Sequence, residues 1–180
     1  SFDTIDSPEQ IKKKKLKIQN KERDYRIKNF YFHHTLKANI KTKSYWGNLE
    51  YSTCTDNHGF RINCVERKRK KNSQQIIFIG DSFTEGLGLD YNKTFVGLYN
   101  NFTSYNVLNM GVTSYSPIIY YNKIKHYLEK GLKIDHVVVF LDISDIDDEA
   151  NYYEKCKNSL KICDKKTEVT NKNLVKIEKD

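Results

Sequence analysis

Ser82 is the residue of this chain best placed to do chemistry. It follows Ile76-Ile77-Phe78-Ile79-Gly80-Asp81, an apolar run ending in a glycine that permits a sharp turn. An uninterrupted run of β-branched and aromatic residues suits a strand buried on both faces. A serine just past the carboxyl end of such a strand stands where open α/β sheets bind ligands, on a backbone held by the packed strand. Those are the conditions for a nucleophile. Cleavage of an acyl ester by serine needs that hydroxyl, a base within hydrogen-bond reach, and donors aimed at the developing oxyanion. The backbone N–H of Ser82 is one candidate donor. The bland reading of the same residues is a helix start capped by Asp81 and Ser82.

Such a site needs further strands beside the first, and the downstream sequence predicts them. Residues 94–102 read as a short helix with Phe95, Leu98 and Phe102 on one face. Residues 105–110 read as a second buried strand, ending at Gly111. Ser116-Pro117 is a helix start, with proline at the first helical position. That helix runs to about Lys130 and stops at Gly131, with Tyr120, Tyr121, Ile124, Tyr127 and Leu128 as its core face. His136-Val137-Val138-Val139-Phe140-Leu141 predicts a third buried strand, ending in Asp142-Ile143-Ser144-Asp145. Alternation of strand and helix implies a parallel sheet with right-handed crossovers.

Gly80-Asp81-Ser82, followed by Phe83-Thr84-Glu85-Gly86, resembles block I of the SGNH (GDSL-type) hydrolases, whose nucleophile is the serine of that motif. Asn109-Met110-Gly111 resembles their second block, which makes the Gly111 N–H the second oxyanion donor; a structural glycine at a strand end is the other reading. The third block is normally Gly-x-Asn-Asp, and the run in its place is Asp142-Ile143-Ser144-Asp145. Ser144 then replaces an asparagine donor with a shorter side chain. The family's late Asp-x-x-His block, which carries the base, has no counterpart among the five histidines His33, His34, His58, His126 and His136.

Upstream, Asp56-Asn57-His58-Gly59-Phe60-Arg61 resembles an element that bacterial proteins of this kind often carry ahead of block I. Read from the residues alone it is a turn between strands, with Arg61 available to an acidic group. The resemblance covers residues 75–150. It implies an α/β fold: part of a flavodoxin-like SGNH parallel sheet, about three strands with flanking helices, after an N-terminal segment containing a β-hairpin. The family fold has more strands, so the chain is expected to be the N-terminal portion of a longer protein whose missing C-terminal part supplies the base. The implied activity is hydrolysis or transfer of small acyl groups, often acetyl, on carbohydrate or lipid, with no cofactor. The alternative is a non-catalytic glycan-binding, surface or structural module built on the same fold.

Composition bounds these readings. The 180 residues suffice for one ordinary domain, and are 38% hydrophobic with a mean hydropathy of -0.74. The 13 tyrosines and nine phenylalanines compensate in part, because each buries a large area. The formal net charge of +8 concentrates in Lys12 to Lys15 and in Arg67-Lys68-Arg69-Lys70-Lys71. Without zinc-finger spacing or an aromatic RNA-binding motif, these runs read as solvated faces or linkers, and no nucleic-acid partner is expected. No apolar run approaches the ~18 residues of a membrane span. Ser1 opens a polar segment with no visible signal peptide, which reads as a processed or trimmed product.

The four cysteines fall as Cys54 with Cys64 and Cys156 with Cys163. Two local disulfides, and with them a periplasmic or extracellular setting, are one reading; reduced thiols are the other. No metal is expected from cysteine spacing, nor from His33-His34, since neighbours in a strand point to opposite faces. The acidic run Asp142, Asp145, Asp147, Asp148 and Glu149 reads as a solvated loop or helix N-terminus rather than a cation site. The expected organisation is a charged, hairpin-containing segment (1–74), an incomplete SGNH-like core (75–150) and a polar Lys/Asn-rich tail (151–180).

Overall fold

A computed structural model describes residues 25–47, 49–65 and 73–153, together with 7, 9, 10 and 13. The strands are β1 (Arg26–Asn29), β2 (His33–Leu36), β3 (Lys41–Trp46), β4 (Leu49–Thr55), β5 (Arg61–Ile62), β6 (Gln75–Ile79), β7 (Asn106–Asn109) and β8 (His136–Val139). Between and after the last three come the helices α1 (Ser82–Glu85), α2 (Phe95–Phe102), α3 (Pro117–Glu129) and α4 (Ile143–Asp148). A 3-10 turn spans Tyr91–Lys93, and a π-helical turn Glu149–Tyr153 follows α4. The Cys156–Cys163 pair and nearly all of the tail lie outside the described residues.

β6 is the centre of the molecule. It pairs in parallel with β7 on one side and β8 on the other, and Ile76 to Ile79 are all buried. Alternation sends Ile77 and Ile79 into the larger core with Met110, Tyr115, Ile119 and Tyr127, and Ile76 and Phe78 into a smaller one with Tyr91 and Val96. The sheet is mixed, in the order β3-β4-β5-β7-β6-β8. The antiparallel strands upstream of residue 74 therefore continue the parallel sheet, through one register pair, Arg61 with Asn109. β1 and β2 form a separate hairpin.

The turn expected after β4 forms: Asp56 organises it by accepting from the His58 and Phe60 amides through one carboxylate oxygen. Gly59 is required there: its φ is +79°, and a Cβ would sit 2.2 Å from the Leu36 carbonyl oxygen. Cys54 and Cys64 are disulfide-bonded across β4 and the end of β5. Closing a loop of this length restricts the unfolded chain, so replacing both cysteines by serine is expected to cost about 2–3 kcal/mol. Urea unfolding of the oxidised protein and the double variant measures the difference, and a loss under 1 kcal/mol would contradict it.

Three expected faces differ. β8 is not buried on both faces: Val137 is 40% and Val139 46% exposed, because among the described residues β8 has a neighbour only on the β6 side. On α3, Tyr121 and Leu128 face outward, while Ile119, Lys123 and His126 take the buried positions beside Tyr120 and Tyr127. On α2, Leu98 and Phe102 are exposed and Phe95 is only partly covered; Val96 and Gly97 are buried, and the rings of Phe95 and Tyr99 meet Phe78 of β6. Gly97 lets the helix lie against the backbone of Tyr91, whose carbonyl oxygen would be 1.7 Å from an added Cβ.

Candidate functional site

Ser82 is the first residue of α1, a helix of four residues at the carboxyl end of β6. One turn of helix does not stand alone in water, so its geometry depends on what grips it. Asp81 caps the start, accepting from the Phe83 amide at 2.9 Å and from the Ser82 hydroxyl at 3.3 Å. The Ser82 N–H lies in the first turn, where no carbonyl four residues back can accept it. Gly86 closes the helix in the left-handed conformation, φ +82°.

The carbonyls at the end of α1 are held by two side chains facing each other across the β5–β7 joint. Arg61, 1% exposed, donates from Nη1 to the carbonyls of Glu85 and Gly86, and from Nη2 to those of Leu89 and Ser52. Asn109 donates from Nδ2 to the Thr84 carbonyl at 2.8 Å. The acidic partner expected for Arg61 is thus replaced by four backbone carbonyls. The nearby carboxylate, Glu85, is taken by Arg26 in a two-pronged pair at 3.0 and 2.6 Å. Glu85 also accepts from the Thr113 amide and hydroxyl, at 2.7 and 2.8 Å.

Ser82, Gly111 and Ser144 all lie just beyond the carboxyl ends of adjacent strands, β6, β7 and β8. Gly111 is pressed against α1: a Cβ there would be 2.7 Å from Thr84 side-chain carbons and 2.8 Å from the Glu85 nitrogen. Its N–H already donates to Asn109 Oδ1 at 3.0 Å, so the expected second oxyanion donor is engaged in this state. Ser144 is exposed, and its hydroxyl and amide both donate to Asp142 Oδ1, at 2.7 and 2.9 Å. Its hydroxyl serves the cap of α4.

The acidic run is a helix N-terminus, but not a fully solvated one. Asp145 is buried and completes a capping box, its Oδ2 accepting from the Asp142 amide at 3.0 Å and the Tyr120 hydroxyl at 2.9 Å. Burial raises its pKa against those two bonds, and repulsion from Asp81 and Asp142 adds to the rise. Asp148 is pushed up to about 6, by burial first and then by Asp147, Asp145 and Asp81. Among the described residues, no three acidic, histidine or cysteine side chains are arranged to hold a metal ion.

No histidine is hydrogen-bonded to Ser82, whose hydroxyl meets Asp81. His34 comes near the site by gripping the loop after β7, its Nε2 2.7 Å from the Thr113 carbonyl. A carbonyl only accepts, so Nε2 carries the proton. Burial, reinforced by His33, pushes the His34 pKa down to about 3 and keeps the ring neutral. His33 and His34 do not point apart as strand neighbours should: His33 has φ +70°, and the two Nδ1 atoms lie 2.7 Å apart.

Lys123 is fully buried beneath this end of the sheet, donating to the Met110 carbonyl at 2.9 Å and contacting the Tyr115 hydroxyl at 3.1 Å. Burial lowers its pKa to about 7, with Glu85 and Asp56 opposing. The unfolded chain keeps that proton to about pH 10.4, so it binds more protons than the folded protein between those values. Stability must then rise with pH across that window. Lys123→Met is expected to remove the rise, which urea unfolding at pH 6, 8 and 9.5 would show; an unchanged slope would refute it.

No family model matches the chain, and no curated protein matches it. The site must be read from its own geometry. The residues that hold it, Arg26, Glu85, Asn109, Thr113 and Lys123, carry no periodic signal; of these, Glu85 and Asn109 stood inside the two motifs that suggested a nucleophile and an oxyanion donor. A cavity of about 550 Å³ lies at the other end of the parallel strands, beside Gln75, Asn106, Asn63 and Tyr91, and Ser82 does not line it.

Proposed function

We propose that the chain is part of an SGNH-type serine hydrolase or acyltransferase acting on small acyl esters of carbohydrate or lipid, with Ser82 as nucleophile. The observation that carries this reading is the placement of Ser82 on a gripped turn past the central buried strand, with Gly111 packed against it. Ser82 Oγ attacks the acyl carbon and passes its proton to a base. The tetrahedral oxyanion meets the Ser82 N–H, and the Gly111 N–H once it turns from Asn109. The alcohol leaves with the proton, and water or a second hydroxyl then takes the acyl group from Ser82.

The base in this proposal is a histidine outside these 180 residues, whose five histidines are all described and none of which bonds Ser82. Among the described residues β8 has no neighbour on its outer edge, and its exposed valines support further polypeptide joining the sheet there. No helix among the described residues is long and apolar enough to cross a membrane. The Cys54–Cys64 disulfide supports a periplasmic or extracellular setting. The engagement of the Gly111 amide and the Ser144 hydroxyl favours the second reading, a binding module that no longer turns over ester.

Treatment with a fluorophosphonate probe separates the two. Slow stoichiometric modification of Ser82, absent in Ser82→Ala, is the expected result, with little p-nitrophenyl acetate turnover. A protein inert to the probe at Ser82 even when joined to the rest of its polypeptide would overturn the enzyme reading. Ser82-dependent turnover by these residues alone would overturn the claim that the base lies elsewhere.

A further inference from the structure

We propose that Arg61 is a positioning residue for Ser82, and that the Cys54–Cys64 disulfide sets how firmly Arg61 is held. The inference rests on the reading of Ser82 as nucleophile and assigns a control to that site. Arg61 reaches α1 from β5, which has only two residues. β5 is held by two register pairs to β4 and one to β7. So short a strand has little hold of its own on the sheet, and the long guanidinium it carries must stay aligned with three carbonyls, of Glu85, Gly86 and Leu89.

The disulfide supplies what the ladder lacks. Cys54 lies in β4 directly opposite Ile62, the residue after Arg61, and Cys64 follows two positions later. The bridge therefore encloses the whole turn 55–63 and fastens β5 to β4 on the side away from β7. Cys54 is buried, whereas Cys64 is partly exposed and open to attack by a thiolate. A dithiol reductant would deliver two electrons and two protons to the bridge and become a disulfide itself. β5 would then be held by its three register pairs alone, and Arg61 would loosen its grip on the end of α1. Gly86 registers the tightness of that grip: a Cβ there would be 2.9 Å from Arg61 Nη1.

Two readouts test this. Hydrogen exchange follows the amides of Glu85, Gly86 and Leu87, which donate to the Asp81 and Ser82 carbonyls. Fluorophosphonate labelling follows Ser82 itself. Reduction with dithiothreitol is expected to deprotect those amides while Ile77 and Ile79 in β6 stay protected. It should slow labelling by about a hundredfold, as expected for a reacting group displaced by ~1 Å. Arg61→Lys, which keeps the charge but not the fork, should fall between the oxidised and reduced protein, and a Cys54→Ser/Cys64→Ser variant should not respond to dithiothreitol. Unchanged amide protection on reduction would overturn the proposal. So would equal loss in β6, which would make the bridge a general stabiliser. Amides that respond in a protein never labelled at Ser82 would leave the linkage standing and remove the hydrolase reading.

Discussion

Glu85→Gln is expected to lower the stability of this fold by about 3–5 kcal/mol. The side chain of Glu85 is 2% exposed, and its oxygens receive two bonds from Arg26 and two from Thr113. It thereby ties β1, α1 and the loop after β7 at one point. Glutamine keeps the shape but turns an amide N–H₂ toward a guanidinium that can only donate, leaving a part-buried cation, its side chain 25% exposed, without its counter-charge.

The same residue sets an acid limit. Burial pushes the Glu85 carboxyl up, but the Arg26 charge and the bonds from Arg26 and Thr113 reverse this and hold it below the usual carboxylate range. A carboxyl depressed by folding contributes stability that is complete above its unfolded pKa, ~4.3. That contribution is lost as pH falls through the folded value. Urea unfolding at pH 7 should show the full loss in Glu85→Gln, and the gap from wild type should narrow on acidification below pH 4. A variant within 1 kcal/mol of wild type at pH 7 would show that the network contributes little.

Arg61→Met is expected to be as damaging, at about 4 kcal/mol or more. Methionine fills much of the space but donates nothing, so the carbonyls of Glu85, Gly86, Leu89 and Ser52 lose their Arg61 donor together. Each buried acceptor left without a donor costs ~1–3 kcal/mol, and water admitted to the site recovers part of the total. Whole domains hold only ~5–15 kcal/mol, so much of the purified variant should be unfolded at 37 °C. Circular dichroism and thermal melting measure this directly. A melting temperature within 3 °C of wild type would mean that the carbonyls find other donors and that the guanidinium grip is dispensable.

These two residues show what a sequence displays poorly. Glu85 stood inside the stretch that suggested a nucleophile, yet nothing marked it as the anchor of Arg26, 59 positions earlier. Arg61 was available to an acidic group and instead meets carbonyls, while Arg26 holds the nearby carboxylate of Glu85. His33 and His34 were expected to point apart, and a positive φ at His33 brings them together. The helical spacing of α3 correctly placed Tyr120, Ile124 and Tyr127 toward the core but not Tyr121 and Leu128, and on α2 Leu98 and Phe102 of the expected face are exposed. Lys123 won a core position from Tyr121 and Leu128 because Met110 offered it a carbonyl.

By itself the sequence determined the local pieces: the buried strand before Ser82, the turn at 56–60, the helix opening at Pro117 and the three parallel strands; the Cys54–Cys64 bridge was one of two readings that the structure resolved. Those features depend on neighbours in the chain, whose apolar spacing, turn residues and proximity are written in order. The tertiary structure alone decided that β3, β4 and β5 join the same sheet, that β8 lies at its edge among the described residues, and that Arg61 and Asn109 meet at a single register pair to hold α1. Such partnerships are settled by competition among distant charges and hydrogen-bonding groups for a few buried positions, and that competition leaves no period along the chain.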